Sequence, residues 1–254
     1  MNKVIVVNKP LGITSYDVIR RLKKVYKGEK IGHAGTLDPL ADGVLIVLIG
    51  KDANARQSEF MNVNKEYVFT VLLGFETDTY DILGLIQKVG KYNKDISGVD
   101  QEFLNQFKGV LQQKVPPFSA VKVKGKPLYR WYLSGEIDKV DIPTKEVKVE
   151  EIELLDDWLI NGADLESQIL DLLEKVKAGF RQKEIMTKWN KVMGGKDLQK
   201  FRILKIRAVV SKGTYVRAIA NDIGQKLGCG ACTINITRTR VGEYNLSQLP
   251  ADEL

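Results

Sequence analysis

The sequence predicts an α+β fold. Five short apolar or β-branched runs, at residues 4–7, 45–49, 66–73, 147–154 and 203–210, predict buried strands. Helical periodicity occurs between some of these runs but does not alternate strictly with them, as it would in a doubly wound sheet. The chain has 254 residues, of which 44% are hydrophobic, so it can bury a core without disulfides or a structural metal.

The N-terminal elements carry clear local signals. The first strand ends before Lys9 and Pro10, where the proline predicts a turn. Thr14 followed by Asp17 forms a capping-box pattern, and the apolar residues after it recur at helical spacing, which predicts a helix. Residues 30–45 contain three glycines and one proline and therefore predict a loop.

Two more helices are predicted in the body of the chain. Residues 101–111 have a helical pattern of apolar positions. Residues 214–227 have a second such pattern, in which Thr214 can serve as the N-cap.

One segment, residues 158–200, interrupts the strand pattern. Its two amphipathic stretches predict an inserted helical hairpin. The first helix is predicted to be capped by Asp164 and to end at Gly179, and the second is predicted to end at Gly194 and Gly195.

The composition excludes several classes of protein. Because His33 is the only histidine, metal sites built on two or more imidazoles are excluded, and a Ser-His-Asp triad could use that residue alone. Cys229 and Cys232 cannot form a disulfide framework, and their C-x-x-C motif follows a predicted helix instead of opening one, which disfavours a metal or redox pair. The absence of a long apolar stretch predicts a cytoplasmic protein with no membrane partner.

Positive charge is concentrated in three segments, although the formal net charge is only +7. Residues 1–30 carry a net charge of +6, residues 114–130 carry five basic residues and no acidic one, and residues 175–205 carry +8, whereas residues 136–174 carry −10. Aromatic residues such as Trp189 lie among the basic ones. This pattern is typical of a surface that binds a phosphate backbone and unstacked bases, although each basic run also fits a solvated face.

The segment around Asp38 is the most informative part of the sequence. Glycines on both sides let the backbone bend, Pro39 restricts the chain after the acid, and the apolar residues Leu37 and Leu40 flank it. An aspartate held in this way is accessible for a functional role, but an isolated Asp-Pro pair is also typical of a simple turn.

Five ordered motifs resemble those of one enzyme family. GHAGTLDPLADGVL at residues 32–45 resembles the signature of the tRNA pseudouridine-55 synthases of the TruB type. The remaining blocks occur in the family's order: VIVVNKPLGITSYDVIRRLKKV, KEYVFTVLLGFETDTYD, VPPFSAVKVKGKPLYRWYLSGE, and SKGTYVRAIANDIGQKLGCGA with TRTRVGEY. The resemblance covers most of residues 3–157 and 201–245. It implies a mixed, largely antiparallel sheet of the pseudouridine synthase type with flanking helices.

The resemblance also implies an activity, which is the isomerisation of a uridine in the T arm of tRNA to pseudouridine. Such a reaction uses no metal, nucleotide cofactor or redox partner. By position in the motifs, Asp38 matches the catalytic aspartate, Tyr67 the active-site tyrosine, Arg217 the arginine that pairs with the aspartate, and Ile236 an aliphatic residue lining the base pocket. The aspartate could attack the sugar, attack the base or remove the C2′ proton, and the sequence does not choose among these.

The target nucleotide must leave the stack before it can react. His33 matches a family histidine that supports the flipped-out arrangement. The resemblance identifies residues 110–137 as a thumb-like RNA-contacting segment, hereafter the thumb segment, in which four residues are expected to contact the substrate: Lys122, Lys124, Lys126 and Tyr129.

The domain organisation departs from the family in three respects. Residues 1–254 are expected to form one catalytic domain, with residues 158–200 inserted and the family's small C-terminal RNA-binding domain absent. Asp42 stands where the family usually has a small hydroxyl residue, and it would raise the proton affinity of Asp38 if the two lie close. The basic segment in the insertion is expected to supply phosphate contacts, and the protein is expected to be a monomer.

Two other functions remain open on the sequence alone. The chain could be a tRNA-binding folding factor without essential catalysis, although the presence of Asp38, Tyr67 and Arg217 favours an enzyme. A glycoside hydrolase would need two carboxylates flanking a sugar bond, for which Asp38 and Asp42 are the nearby candidates.

Overall fold

A nine-stranded sheet forms the centre of the protein. The computed structural model describes residues 2–90, 99–177, 179 and 181–249. The strands are β1 (Lys3–Lys9), β2 (Ile31–Ala34), β3 (Ala41–Ile49), β4 (Lys65–Leu73), β5 (Phe75–Thr77), β6 (Ile86–Val89), β7 (Gly109–Lys114), β8 (Lys122–Val123), β9 (Lys126–Pro127), β10 (Thr144–Asn161), β11 (Lys200–Val210), β12 (Ala231–Val241) and β13 (Tyr244–Asn245). The helices are α1 (Ser15–Val25), α2 (Lys51–Ala55), α3 (Gln57–Met61), α4 (Gln101–Asn105), α5 (Leu128–Leu133), α6 (Gly162–Lys175), α7 (Gln182–Met193) and α8 (Val216–Lys226), with short 3-10 turns at Ile137–Lys139 and Leu246–Gln248.

The strand order confirms an α+β fold with a mixed, mostly antiparallel sheet. The order is β1-β3-β12-β4-β11-β10-β7, with β2 pairing to β3 and β13 to β12. The pairing of β12 with β3 is parallel, and the other pairings in this sheet are antiparallel. The parallel pair brings the start of β3 beside the C-terminal half of β12, and this junction carries the candidate site.

The predicted capping box of α1 is confirmed, since Thr14 accepts from the Asp17 amide and Asp17 accepts from the Thr14 amide.

Several other elements differ in their bounds from the sequence predictions. The prediction of a loop over residues 30–45 is wrong at both ends, because Ile31–Ala34 pairs with β3 and β3 begins at Ala41. Gly43 is nevertheless required, since its φ is +102° and a Cβ there would lie 2.3 Å from the Arg238 carbonyl oxygen.

The predicted helix at residues 101–111 is also wrong beyond its first turn and a half. Helix α4 ends at Asn105, and the chain turns at Gly109, where φ is +101°. From there β7 pairs with β10, with Gly109 opposite Val149. Pairing along the sheet therefore overrides the local helical pattern, as tertiary context commonly does.

The N-cap predictions at Thr214 and Asp164 are wrong. Tyr215 precedes α8, and the Thr214 hydroxyl instead donates to the Ser211 carbonyl over 2.9 Å. Asn161 caps α6, and Asp164 lies in its first turn, where a carboxylate is stabilised by the helix dipole.

The end predicted for the first inserted helix is also misplaced. Helix α6 ends at Lys175 instead of Gly179, because the Lys177 amide donates to the Gly12 carbonyl over 2.8 Å and draws the chain away.

Two core clusters cover opposite faces of the sheet. Leu72 and Leu73 are neighbours on β4, and they enter different clusters because successive strand residues point to opposite faces. Helices α1 and α8 pack on one face and the α6–α7 pair on the other. Six fully buried side chains of the pair enter the second cluster: Leu165, Ile169, Leu173, Ile185, Trp189 and Met193. Their burial contributes roughly 10 kcal/mol of gross stabilisation, so this helical pair is part of the core.

Candidate active site

The loop between β2 and β3 holds Asp38 at the surface of the sheet junction. Leu37 and Leu40 on either side of it are buried, and Ser15 at the start of α1 binds both main-chain groups of Leu37, accepting from its amide over 2.8 Å and donating to its carbonyl over 3.1 Å. The Gly12 amide also donates to the Pro39 carbonyl over 2.8 Å. The loop is thus anchored on both sides of Asp38, whose side chain is 37% exposed.

Arg238 of β12 holds the same loop from beneath. Its buried guanidinium donates to three main-chain carbonyls, those of Val44 at 2.8 Å, Gly35 at 3.1 Å and Thr36 at 3.5 Å. This residue is not among the candidates predicted from the sequence, although it lies in the TRTRVGEY block. It stands two positions after Ile236, and alternation places it on the same face of β12.

Arg217 brings the loop and α8 together. It is the second residue of α8, its side chain is 4% exposed, and its Nε donates to Asp38 Oδ2 over 2.8 Å. The guanidinium also donates to the main-chain carbonyls of Thr79 and Phe118. One carboxylate oxygen of Asp38 is therefore hydrogen-bonded to the buried guanidinium of Arg217, and the rest of the carboxylate is accessible.

Asp81 is a second carboxylate beside Arg217. Its Oδ2 lies 3.5 Å from Arg217 Nε, and its Oδ1 accepts from the Thr79 hydroxyl over 2.5 Å and from the Leu83 amide over 3.0 Å. Burial raises the pKa of Asp81 to about 6. Burial acts to lower the pKa of Arg217, but Asp38 and Asp81 outweigh it and raise that pKa, so the guanidinium stays charged.

Strand register brings two further predicted residues to this junction. Ile236 of β12 lies opposite Ala41 of β3 and Phe69 of β4, and it is buried. Tyr67 of β4 lies opposite Arg238, on the same sheet face as Ile236 and Phe69. Tyr67 is partly buried against the core cluster that contains Ile236.

His33 lies in β2 opposite Val47, close to the Asp38 loop. Burial, and then the charge of Arg238, lower the pKa of its imidazole, which is therefore neutral at pH 7. Its main-chain carbonyl accepts from the Gln57 side chain over 2.6 Å.

Asp42 and Lys9 lie under the loop, with Asp42 partly buried and Lys9 fully buried. Burial raises the pKa of Asp42, although the Thr237 side chain and the charge of Lys9 act against this shift. Burial lowers the pKa of Lys9 to about 8, although the Asp42 and Asp38 charges oppose this shift. Its ammonium donates to the Ile13 carbonyl over 2.7 Å and to the Pro10 carbonyl over 2.9 Å. The positive charge of Lys9 thus lies within range of both aspartates.

Only two of the four thumb-segment residues that are predicted to contact the substrate are exposed to solvent. Lys122 and Lys124 are exposed on the β8–β9 hairpin, and the Lys124 ammonium donates to the Lys139 carbonyl over 3.3 Å. Lys126 instead lies over the Trp131 ring at 4.3 Å and pairs with Glu136 at 3.4 Å, and Tyr129 is half-buried.

The inserted hairpin, residues 158–200, is less basic than the net charge of +8 on residues 175–205 indicates. Residues 158–200 carry eight basic and six acidic residues, because α6 contributes four acids that the range 175–205 excludes. Trp189, expected among RNA-contacting aromatics, is fully buried. Three of its exposed lysines, Lys183, Lys188 and Lys191, lie on α7 and line a cleft beside β6.

The part of the chain that the structure describes holds neither a metal cluster nor a membrane-spanning helix. Within residues 2–90, 99–177, 179 and 181–249, no cluster of three or more His, Cys, Asp or Glu side chains is arranged to hold a metal ion. None of the helices described has the length and apolar character needed to cross a membrane.

Comparison with known proteins places the chain among RNA-modifying enzymes. A family model described as TruB family pseudouridylate synthase (N terminal domain) matches residues 23–168. A relative named tRNA pseudouridine synthase B from Fusobacterium nucleatum subsp. nucleatum is 37% identical over 97% of this chain and 70% of its own length. Another of that name, from Parabacteroides distasonis, is 35% identical over 99% of this chain and 90% of its own length.

Solved structures agree on the fold. The Cbf5-Nop10-Gar1 complex contains a chain that matches with a TM-score of 0.57 and 25% identity, over 95% of this chain and 49% of its own length. An H/ACA RNP bound to a substrate RNA containing 2′-deoxyuridine matches with a TM-score of 0.55 and 24% identity, over 95% of this chain. The present chain spans about half the length of these structural relatives.

Proposed function

The chain belongs to the TruB family of pseudouridylate synthases, and from this premise we propose that it isomerises a uridine in the T arm of tRNA, at position 55, to pseudouridine. The observation that carries the proposal is the pair formed by Asp38 and Arg217. The carboxylate of Asp38 lies in the loop that carries the family signature and is partly exposed. The buried guanidinium of Arg217 holds it in place from α8. The names of the relatives favour this enzyme over the folding-factor and glycoside-hydrolase alternatives.

The reaction is an isomerisation whose atoms balance within the nucleotide. The bond from N1 of uracil to C1′ breaks, the base turns, a bond from C5 to C1′ forms, the C5 proton leaves and N1 gains a proton. Asp38 is the group that acts on the sugar or the base in this proposal, as nucleophile or as base. Arg217 orients it through a charge-assisted hydrogen bond.

The neighbouring residues are assigned roles around the flipped base. Tyr67 stacks on the uracil and assists loss of the C5 proton, and Ile236 lines the apolar side of the base pocket. His33 borders the space that the base vacates, and its neutral imidazole suits a site next to stacked bases. Flipping costs a few kcal/mol, which contacts to the tRNA must offset.

The RNA contacts are assigned to the thumb segment and its surroundings. Lys122 and Lys124 are exposed and suit phosphate contacts, whereas Lys126 and Tyr129 would contribute by shaping the hairpin. We further propose that the enzyme acts in the cytoplasm as a monomer without a cofactor.

The test is incubation of the protein with an unmodified tRNA transcript, followed by nucleoside analysis. Pseudouridine at position 55 is expected, and a transcript with cytidine at that position is the matched control. Binding without any product would support the folding factor, and release of free base would support the hydrolase.

Asp38→Asn separates the proposed chemistry from binding. The carboxamide keeps the shape but loses the nucleophile or base, so product formation should stop while tRNA affinity stays within about threefold. Retention of more than about a tenth of the wild-type rate would rule out Asp38 as the catalytic group.

A further inference from the structure

The link between the two inserted helices reaches the candidate active site. The structure describes Val176, Lys177, Gly179 and Arg181 in this link. Lys177 donates its amide to the Gly12 carbonyl, and Gly12 donates its own amide to Pro39, next to Asp38, both over 2.8 Å. The inserted hairpin is therefore joined to the catalytic loop through a single turn.

Arg181 at the end of the link makes the most extensive of these contacts. Its backbone adopts a left-handed conformation with φ of 51°, which is uncommon outside glycine, asparagine and aspartate. From there its Nη1 pairs with Asp78 Oδ2 over 3.0 Å, and the Asp78 side chain is only 2% exposed. The pair is only partly buried, since the Arg181 side chain is 20% exposed. An unusual backbone conformation persists only where the surrounding contacts fix it, so the position of this guanidinium is set by its neighbours.

The guanidinium of Arg181 also covers two aromatic rings of the thumb segment. It lies 4.7 Å from the centroid of Phe118 and 5.8 Å from that of Tyr132, and the two rings are 4.6 Å apart. The Tyr132 hydroxyl donates to the same Asp78 oxygen over 2.9 Å. Arg181 thus completes a cluster in which the thumb segment, the turn after β5 and the insertion meet.

Arg181 and Arg217 hold the same two segments. Arg217 binds the main-chain carbonyls of Thr79 and Phe118, whereas Arg181 binds the side chains of Asp78 and Phe118. One arginine comes from α8 and the other from the insertion. Any shift of Phe118 away from the site would break contacts to both.

The thumb segment has little core of its own that could replace these contacts. Its hydrophobic cluster has three buried residues, Val115 and Leu128 in the segment and Val140 just after it, and the other side chains packed on them are only partly buried. A segment with so small a core has a low free energy of local unfolding, so its position depends on contacts with neighbouring segments.

We propose that Arg181 is a positioning residue for catalysis, which holds the thumb segment against the turn at Asp78 so that the contacts of Arg217 at the catalytic aspartate are complete. This inference rests on the proposed function and assigns to the insertion a role in the same site. Arg181 would not touch the reacting atoms. It would act through Phe118, Asp78 and Arg217.

The experiment compares Arg181→Ala and Arg181→Lys with a matched control, Arg202→Ala. Arg202 forms an ion pair with Asp157 at the base of the same hairpin and donates to the Val99 carbonyl. Two readouts are used: the single-turnover rate constant at saturating tRNA, and the rate of trypsin cleavage within residues 122–130 of the free protein. The second readout does not require the protein to be an enzyme, so it is independent of the proposed function.

The alanine variant at position 181 is expected to lower the single-turnover rate constant by about tenfold or more, because small misplacement of catalytic groups has large effects. It should raise the rate of thumb cleavage by about fivefold. The lysine variant should give intermediate values, since it keeps the charge but loses the flat face over the rings. Arg202→Ala should change either readout by less than about twofold.

Three results would overturn the proposal. The first is a cleavage rate in Arg181→Ala equal to that of the wild type, whether or not the wild type forms pseudouridine. The second is faster cleavage with an unchanged rate constant, since the thumb segment would then be released without effect on catalysis. The third is an equal effect of Arg202→Ala, which would reduce the role of Arg181 to general stability.

Discussion

Arg217→Lys is the sharpest test of the site, because it keeps the positive charge and removes the geometry. The guanidinium serves four oxygen atoms, one each on Asp38, Asp81, Thr79 and Phe118. A lysine ammonium is a point charge on a flexible stem and cannot reach all four from the same place on α8. We expect it to keep a carboxylate contact and to lose the two carbonyl contacts.

The magnitude follows from those two lost bonds. A hydrogen bond with a charged partner is worth about 1.5–3 kcal/mol, so their loss amounts to roughly 3 kcal/mol or more. If this loss appears in the transition state, where Asp38 must be oriented, the rate constant falls about 100-fold, since about 1.4 kcal/mol corresponds to tenfold. tRNA affinity should change less than the rate constant, because the guanidinium is buried and is assigned no direct contact with the tRNA.

The assay is the single-turnover release of tritium from C5 of labelled uridine in the tRNA, with enzyme in excess. Arg207→Lys is the matched control, since Arg207 pairs with Glu66, Glu151 and Glu153 across a partly exposed part of the sheet. The control should stay within about twofold of the wild type. A rate constant for Arg217→Lys within about threefold of the wild type would refute the reasoning, because the fork geometry would then be dispensable.

Three further predictions concern other parts of the site. Tyr67→Phe should retain tRNA affinity and lower turnover by about tenfold or more, and unchanged turnover in the same tritium assay would show that the hydroxyl has no role. Burial lowers the pKa of Lys9 from 10.5 to about 8. Between pH 8 and pH 10.5 the unfolded state therefore binds more protons than the folded state, and the free energy of unfolding rises with pH. Urea unfolding of the wild type should therefore gain about 2 kcal/mol more between pH 8 and pH 10 than that of Lys9→Met, and parallel pH profiles would contradict the burial of a titrating ammonium. Combined replacement of Lys183, Lys188 and Lys191 by glutamine should weaken tRNA binding by about tenfold and reduce its salt slope by about two units, whereas an unchanged slope would mean that this face of α7 is only solvated.

Local patterns predicted the elements whose stability depends on near neighbours in sequence. The capping box of α1 is made by residues three positions apart, and the apolar stripes of α6 and α7 repeat at helical spacing. The anchors of the Asp38 loop are similarly local, since Leu37 and Leu40 are buried on either side of it. The α+β class follows from the same short-range signals.

The ends of elements were less predictable, because partners distant in sequence decide them. The segment at residues 30–45 contains glycines and a proline, yet both of its ends join the sheet, since β3 offers edges to β1, β2 and β12. Residues 109–111 likewise leave the helical pattern because β10 pairs with them.

The family motifs, the α+β class and the aspartate loop could all be predicted, because they depend on residue type and short spacing. Which charges meet depends instead on long-range packing. Asp81 and Arg238 reach the site through contacts that span more than 100 residues, and Arg181 reaches it from an insertion whose segment charge had indicated only a basic surface. The physical reason is that a buried ion pair is favourable only when the fold brings both partners together and excludes water, and no local pattern in the chain encodes that distance.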